Sequence, residues 1–237
     1  MDFKLYKQLA QLKNWLFPDT CYSCAEELQQ ESSSFCTDCL ASLPYLDEAC
    51  HRCGEPLFHG DSACGKCISR QPTFDQCFCP FIYEDPIKKK IQELKFSDYP
   101  KNLAMIADLF LQELDAKKIA IPEAVISVPM HPKKLRGRGF NQSYELAKAI
   151  AKRLDIPLLY DHIQKSKDTP KQTSQTFKQR RKNLFKSFRA VKKIEHQHVA
   201  IVDDVVTTGA TAEEISKILK KNGVDYIQVW GIARTRQ

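Results

Sequence analysis

Four CxxC pairs constrain what this chain can fold into more than any other feature. They fall as Cys21/Cys24, Cys36/Cys39, Cys50/Cys53 and Cys64/Cys67, with eleven, ten and ten residues between successive pairs. Two thiolates three positions apart reach one ion from a tight turn, and a second pair on a facing hairpin closes a tetrahedral shell. The pattern therefore predicts two four-cysteine zinc sites. Pairing the first knuckle with the second and the third with the fourth is the simpler assignment; spacing alone leaves interleaved pairing open. With sulfur in every coordination position, no place remains for a reactive water, so both zinc ions are expected to be structural. Disulfides or redox-active pairs are the competing readings, and the expected compartment weighs against them. Residues 1–17 lack the continuous apolar core of a signal peptide, which makes the reducing cytosol the default. Phe3, Leu5, Leu9, Leu12 and Leu16 alternate there with Lys and Gln, a pattern that suits an amphipathic helix over 1–19. No apolar run approaches the roughly 18 residues a membrane span requires, so no stable membrane insertion is expected.

The chain has ten cysteines in all, and the remaining two, Cys77 and Cys79, have CxC spacing, which is wrong for a knuckle. They share one face of a short strand pattern and read as small buried side chains. Charge divides with the cysteines. Residues 1–70 hold six Lys/Arg against ten Asp/Glu, a balance of −4, which leaves +11 on 71–237 of a chain whose net charge is +7. The division predicts a double zinc ribbon over 20–70 and a basic domain over 71–237. The densest basic stretch, 165–193, carries eleven Lys/Arg against Asp168 alone, as suits a segment meeting phosphates.

The basic part alternates strand and helix patterns, as an α/β domain with a parallel sheet does. Ile87, Ile91 and Leu94 mark a short helix, and Leu103 to Leu114 a longer one. Ala124 to Val128 is an apolar run suited to a buried strand, and a helix beginning near Asn141 is expected to bury Leu146, Ala147, Ile150 and Leu154. A second strand, Val199 to Val202, runs into Asp203 and Asp204, then into Thr207, Thr208, Gly209, Ala210 and Thr211, then into a helix with Ala212, Ile215, Ile218 and Leu219 as its buried stripe. A last strand covers Tyr226 to Ile232. Hydroxyl donors, a glycine permitting close backbone approach and a helix N-terminus make a phosphate cradle. The carboxylates before it can accept hydrogen bonds from vicinal hydroxyls or hold Mg²⁺, and they stand at the carboxyl end of a strand, where open α/β sheets bind ligands.

The segment Val202-Asp-Asp-Val-Val-Thr-Thr-Gly-Ala-Thr211 resembles the 5-phosphoribosyl 1-pyrophosphate (PRPP) motif of type I phosphoribosyltransferases. The resemblance implies that fold, a parallel sheet flanked by helices. It also implies ribose contacts from Asp203 and Asp204 and a 5-phosphate seat at Thr207–Thr211, with Mg²⁺ accompanying PRPP. Met130, His131, Pro132, Lys133 and Lys134 lie where that family has its pyrophosphate loop, and Lys171, Gln172, Arg180 and Arg181, together with Arg136 and Arg138, are placed as a mobile basic loop would be. The double CxxC pairs, Phe81-Ile82-Tyr83, the run Val128 to Gln142 and the PRPP motif together are similar to the ComF family of competence proteins. Lys165 and Gln175 depart from that family's usual Arg and apolar residue. This second resemblance implies a cytoplasmic protein assisting uptake of single-stranded DNA in partnership with a ComFA-type ATP-dependent helicase, peripheral to the inner face of the membrane through its partners. An active phosphoribosyltransferase and a PRPP-sensing regulator are the alternatives.

Overall fold

The computed structural model describes residues 20–28, 34–57, 62–94, 99–166 and 187–236. The helix expected over 1–19 lies outside these residues, as do Lys171, Gln172, Arg180 and Arg181 of the basic stretch. The chain forms two compact units, Met1–Leu43 and Pro44–Gln237.

In the smaller unit, Cys21 and Cys24 occupy a tight turn closed by Ala25 N donating to Cys21 O at 2.9 Å. Cys36 and Cys39 bracket the start of α1 (Thr37–Ala41), a single helical turn. Among the unit's described residues the buried apolar side chains are Cys21, Phe35 and Leu43.

The larger unit opens with the second pair of knuckles, Cys64 and Cys67 lying at the start of α2 (Gly65–Ser69). Then come β1 (Gln76–Phe78), β2 (Phe81–Ile82), α3 (Ile87–Glu93), α4 (Tyr99–Ala116), β3 (Ala124–Ser127), α5 (Pro132–Arg138), α6 (Gln142–Leu154), β4 (Ile163–Lys165), β5 (Phe188–Ala190), β6 (His198–Val206), α7 (Ala210–Lys221) and β7 (Tyr226–Arg234). The main sheet has the order β1-β7-β6-β3, with β2 pairing further along β7, and every pair is parallel. Pro80 lacks the N–H that would carry the first edge strand through, so β1 and β2 occupy successive stretches of one edge. Parallel strands covered on both faces read as unbroken apolar runs. Accordingly Val199, Ala200, Ile201 and Val202 of β6 are all fully buried. Val199, Ile201, Ile227 and Val229 share a core with Ala212, Ile215 and Leu219 of α7. Trp230 meets Phe110 of α4 at a ring distance of 5.5 Å, and Phe110 meets Phe78 at the same separation. Cys77 and Cys79 are buried, with sulfurs 3.9 Å apart.

The helices follow the expected stripes with local differences. Leu154 and Ile218 are only partly buried, at the margins of their stripes. The segment after β3, read from the sequence as a loop, folds into α5: His131 Nδ1 accepts from Lys133 N at 3.2 Å, Pro132 takes the first helical turn, and Gly139 ends it at φ 84°. Strands β4 and β5 form an antiparallel pair that the sequence pattern did not indicate. Ser166 N donates to Ser187 O at 2.8 Å, which joins two points within the basic stretch. Among the described residues no helix is long and apolar enough to cross a membrane.

Candidate functional site

The eight knuckle cysteines gather as the sequential pairing requires. Cys21, Cys24, Cys36 and Cys39 form one cluster and Cys50, Cys53, Cys64 and Cys67 the other, the ligand atoms of each lying within 4.8 Å of one another. Zinc–sulfur bonds of about 2.3 Å place tetrahedral sulfurs about 3.8 Å apart. Cys24 and Cys36 are 3.7 Å apart and Cys53 and Cys64 3.6 Å, so both clusters fit zinc. Backbone amides point at sulfur as well: Cys36 N donates to Cys21 Sγ at 3.3 Å.

The second constellation stands at the carboxyl ends of β3 and β6. Asp203 and Asp204 lie in the second half of β6, which ends with Val205 and Val206, and the chain then turns through Thr207, Thr208 and Gly209 into α7. Gly209 is the N-cap at φ 71°, a conformation a β-branched residue would resist. No side chain caps the helix at that residue; instead Thr208 Oγ1 accepts from Ala210 N at 3.3 Å. The first-turn amides and the helix dipole therefore face the loop, and both favour an anion there. Asp203, Thr207, Gly209, Ala210 and Thr211 line one recess of about 30 Å³ with Val128. Thr208 instead faces a larger cavity of about 520 Å³ beside the second cysteine cluster.

Asp203 is the most perturbed group of this site. Ser143 Oγ donates to its Oδ1 at 2.8 Å, and Asp204 N donates to the same oxygen at 3.0 Å. Burial, and then the neighbouring Asp204 carboxylate, nevertheless push the Asp203 carboxyl well above the usual carboxylate range. A folded state that holds a proton more tightly than the unfolded chain loses stability as pH rises above the unfolded value, about 4. Asp203→Asn keeps the oxygen acceptor and removes that cost. At pH 7 the ligand-free variant is expected to be more stable by about 1 kcal/mol, a gain of roughly 2–4 °C in melting temperature. The gain should shrink toward pH 4, as differential scanning calorimetry at the two pH values would show.

The other sequence candidates are placed around this core. Asn141 Nδ2 donates to Val128 O at 2.9 Å and ties the start of α6 to the end of β3. Met130 lines a cavity of about 240 Å³ with Phe140, Tyr144 and Tyr160. His131 serves as the cap of α5, and Pro132, Lys133, Arg136 and Arg138 are exposed along that helix, with Lys134 partly buried. Sequence reasoning missed three contributors. Ser143 reaches Asp203 from sixty positions away. The adjacent Gln142 is buried with its Nε2 unpartnered among the described residues. Arg234, 2% exposed, ends β7 and touches Val206 O beside the loop. Only Arg234 left a local trace: a cation finishing a largely apolar strand.

Comparison with known proteins agrees with this division. A double zinc ribbon domain model matches residues 12–68, and a phosphoribosyl transferase domain model matches residues 141–234. Competence protein F of Haemophilus influenzae is 37% identical over 226 residues, covering 90% of this chain and 96% of that protein. DNA utilization protein YhgH of Salmonella typhimurium is 32% identical over 222 residues, covering 92% and 98%. Competence protein ComFC of Streptococcus pneumoniae is 24% identical over 218 residues, covering 87% and 90%. Adenine phosphoribosyltransferase from Saccharomyces cerevisiae aligns with a TM-score of 0.37 at 15% identity, over 62% of this chain and 89% of that one. Matched by its relatives through the cysteine clusters and the α/β domain alike, the chain belongs to the competence protein F (ComF) family.

Proposed function

We propose that this protein assists the uptake or use of incoming DNA and that it does so with a PRPP-type ribose phosphate held at residues 203–211. The observation that carries the ligand reading is the juxtaposition near the end of β6: two carboxylates, one held protonated more readily than usual, followed after two residues by a hydroxyl-rich turn on the N-terminus of α7. Carboxylates accept hydrogen bonds from ribose hydroxyls, and the turn with its helix dipole receives the 5-phosphate. Asp203 and Asp204 offer the hard oxygen donors that Mg²⁺ prefers, and Mg²⁺ bound there would offset the charge of a pyrophosphate group. The role in DNA handling rests on the relatives, whose names are competence protein F and DNA utilization protein.

Single-stranded DNA is the nucleic acid we assign. The 71–237 part carries +11, and Lys133, Arg136 and Arg138 stand exposed on α5. Tyr160, 54% exposed, has its ring 5.0 Å from that of Tyr144, and both line one cavity with Leu135 of α5. Cations for the phosphates beside an aromatic surface for the bases are the elements that single strands require. A ComFA-type helicase as partner, and the cytoplasm as the compartment, complete the proposal.

The genetic test is a transformable host carrying Asp203→Asn/Asp204→Asn at its own locus. Transformation is expected to fall by about two orders of magnitude, the loss of two charge-assisted contacts, with protein level unchanged. Wild-type transformation in that strain would show the pocket to be dispensable for DNA uptake.

A further inference from the structure

The turn that forms the phosphate seat is held from outside at three points. At its entry, Val206 O accepts from Arg234 Nη1 at 3.1 Å and from Thr235 N at 3.1 Å. At its middle, Gly209 lies against Phe74, whose Cζ stands 3.7 Å from where a Cβ would be. At its exit, Glu213 accepts from Thr73 N at 2.8 Å and Thr73 Oγ1 at 2.9 Å. Thr73 and Phe74 lie a short step beyond α2, which carries Cys67 of the second cluster. Arg234 reaches that cluster too: its Nε donates to Cys53 O at 3.1 Å and its Nη2 to Glu55 Oε2 at 2.8 Å.

One buried guanidinium thus joins the carbonyl of a metal-ligating residue to the carbonyl that launches the phosphate turn. The Cys53 carbonyl is oriented by the knuckle, in which Gly54 N donates to Cys50 O at 2.8 Å and Gly54 adopts φ 69°. A Cβ at Gly54 would come within 3.0 Å of Cys77 Sγ, so the knuckle is seated closely on β1. Elsewhere the ribbon and the turn are separated by the 520 Å³ cavity, with Cys53, Cys67 and Arg70 on one wall and Thr208, Gly209 and Glu213 on the other. The ties named above span that gap between ribbon and turn.

We propose that Arg234 is a positioning residue that makes the placement of the phosphate turn depend on metal in the second four-cysteine cluster and not on metal in the first. Loss of metal from Cys50, Cys53, Cys64 and Cys67 frees the Cys53 carbonyl, Arg234 loses one of its acceptors, and the turn loosens at its entry. The first cluster belongs to the other compact unit. The ligand arm of this proposal rests on the phosphate reading above; the structural arm does not.

Both arms are measured on the full-length zinc-loaded protein and on Cys64→Ser, Cys36→Ser and Arg234→Lys, each assayed for bound zinc. Lysine keeps the charge opposite Glu55 but lacks the planar fork that reaches Cys53 O, Val206 O, Thr235 O and Glu55 together. Hydrogen exchange of amides 207–213 is expected to speed up about tenfold in Cys64→Ser and in Arg234→Lys while amides 199–202 of β6 stay protected. PRPP affinity should fall by about tenfold in the same two proteins. Cys36→Ser should lose one zinc and change neither quantity. Wild-type exchange at 207–213 in Arg234→Lys, or equal loosening in Cys36→Ser, would overturn the proposal, and Arg234→Lys carries the test if Cys64→Ser fails to fold. The expected exchange pattern in a protein whose wild type binds no PRPP would overturn the ligand reading and uphold the positioning role.

Discussion

Removing zinc should unfold residues 20–28 and 34–43 and leave the main sheet folded. The described part of the smaller unit buries little beyond Cys21, Phe35 and Leu43, and one aromatic contact, Tyr22 with Phe35 at 6.2 Å, helps hold it. A core of that size falls far short of the entropy of ordering its backbone, about 1–2 kcal/mol per residue. A four-cysteine zinc site contributes about 10–16 kcal/mol by analogy with finger peptides, enough to reverse that balance. The second cluster responds differently, because its polypeptide is anchored on the body. Leu46 N donates to Pro80 O at 2.8 Å, Cys77 N to His51 O at 3.0 Å, and Arg234 pairs with Glu55. Graded chelation followed by hydrogen exchange is expected to show amides 21–28 and 34–43 losing protection completely, amides 50–57 partly, and amides 199–202 and 227–232 scarcely at all. Persistent protection over 34–43 in metal-free protein would mean that the smaller unit holds itself together without zinc.

How much of this was readable beforehand follows from the range over which each feature acts. The cysteine clusters, the β6–α7 unit and the buried strands rest on short-range spacing and periodicity, and these appear in the structure close to where the sequence puts them. Helix α4 runs Tyr99–Ala116 where Leu103 to Leu114 was expected, since its apolar stripe shows only the buried middle. Strand β7 continues past Ile232 to Arg234, and the reason is tertiary: acceptors from Cys53, Glu55 and Val206 converge on a guanidinium that, without them, would have no place in a buried strand. The Ser143–Asp203 hydrogen bond and the Thr73–Glu213 pair join residues 60 and 140 positions apart, and no local pattern announces either. Helix α5 was hidden for another reason. Its seven residues, PKKLRGR, have no buried face, and only the cap at His131 and the glycine at 139 define it.

The second large effect concerns the ligand itself. If Asp203 and Asp204 receive the ribose hydroxyls, substituting both by Asn exchanges charge-assisted hydrogen bonds, worth about 1.5–3 kcal/mol each, for neutral ones of about 0.5–1.5 kcal/mol. The Asn pair would also lose its hold on Mg²⁺. A combined penalty of about 3 kcal/mol or more corresponds to a loss of at least about 100-fold in affinity. The fold is not expected to suffer, because the Asp203→Asn component relieves the unfavourable burial of a carboxylate. That separation of binding from stability makes the experiment clean.

The most direct measurement is therefore calorimetric titration of PRPP with Mg²⁺ into the wild type and into Asp203→Asn/Asp204→Asn, with melting temperature recorded for both. The expected result is saturable binding of one PRPP per chain by the wild type, at least about 100-fold weaker binding by the variant, and a melting temperature for the variant equal to or above the wild type's at pH 7. Equal affinity in the two folded proteins, or no binding by zinc-loaded wild type, would contradict the assignment of residues 203–211 as a ribose phosphate site.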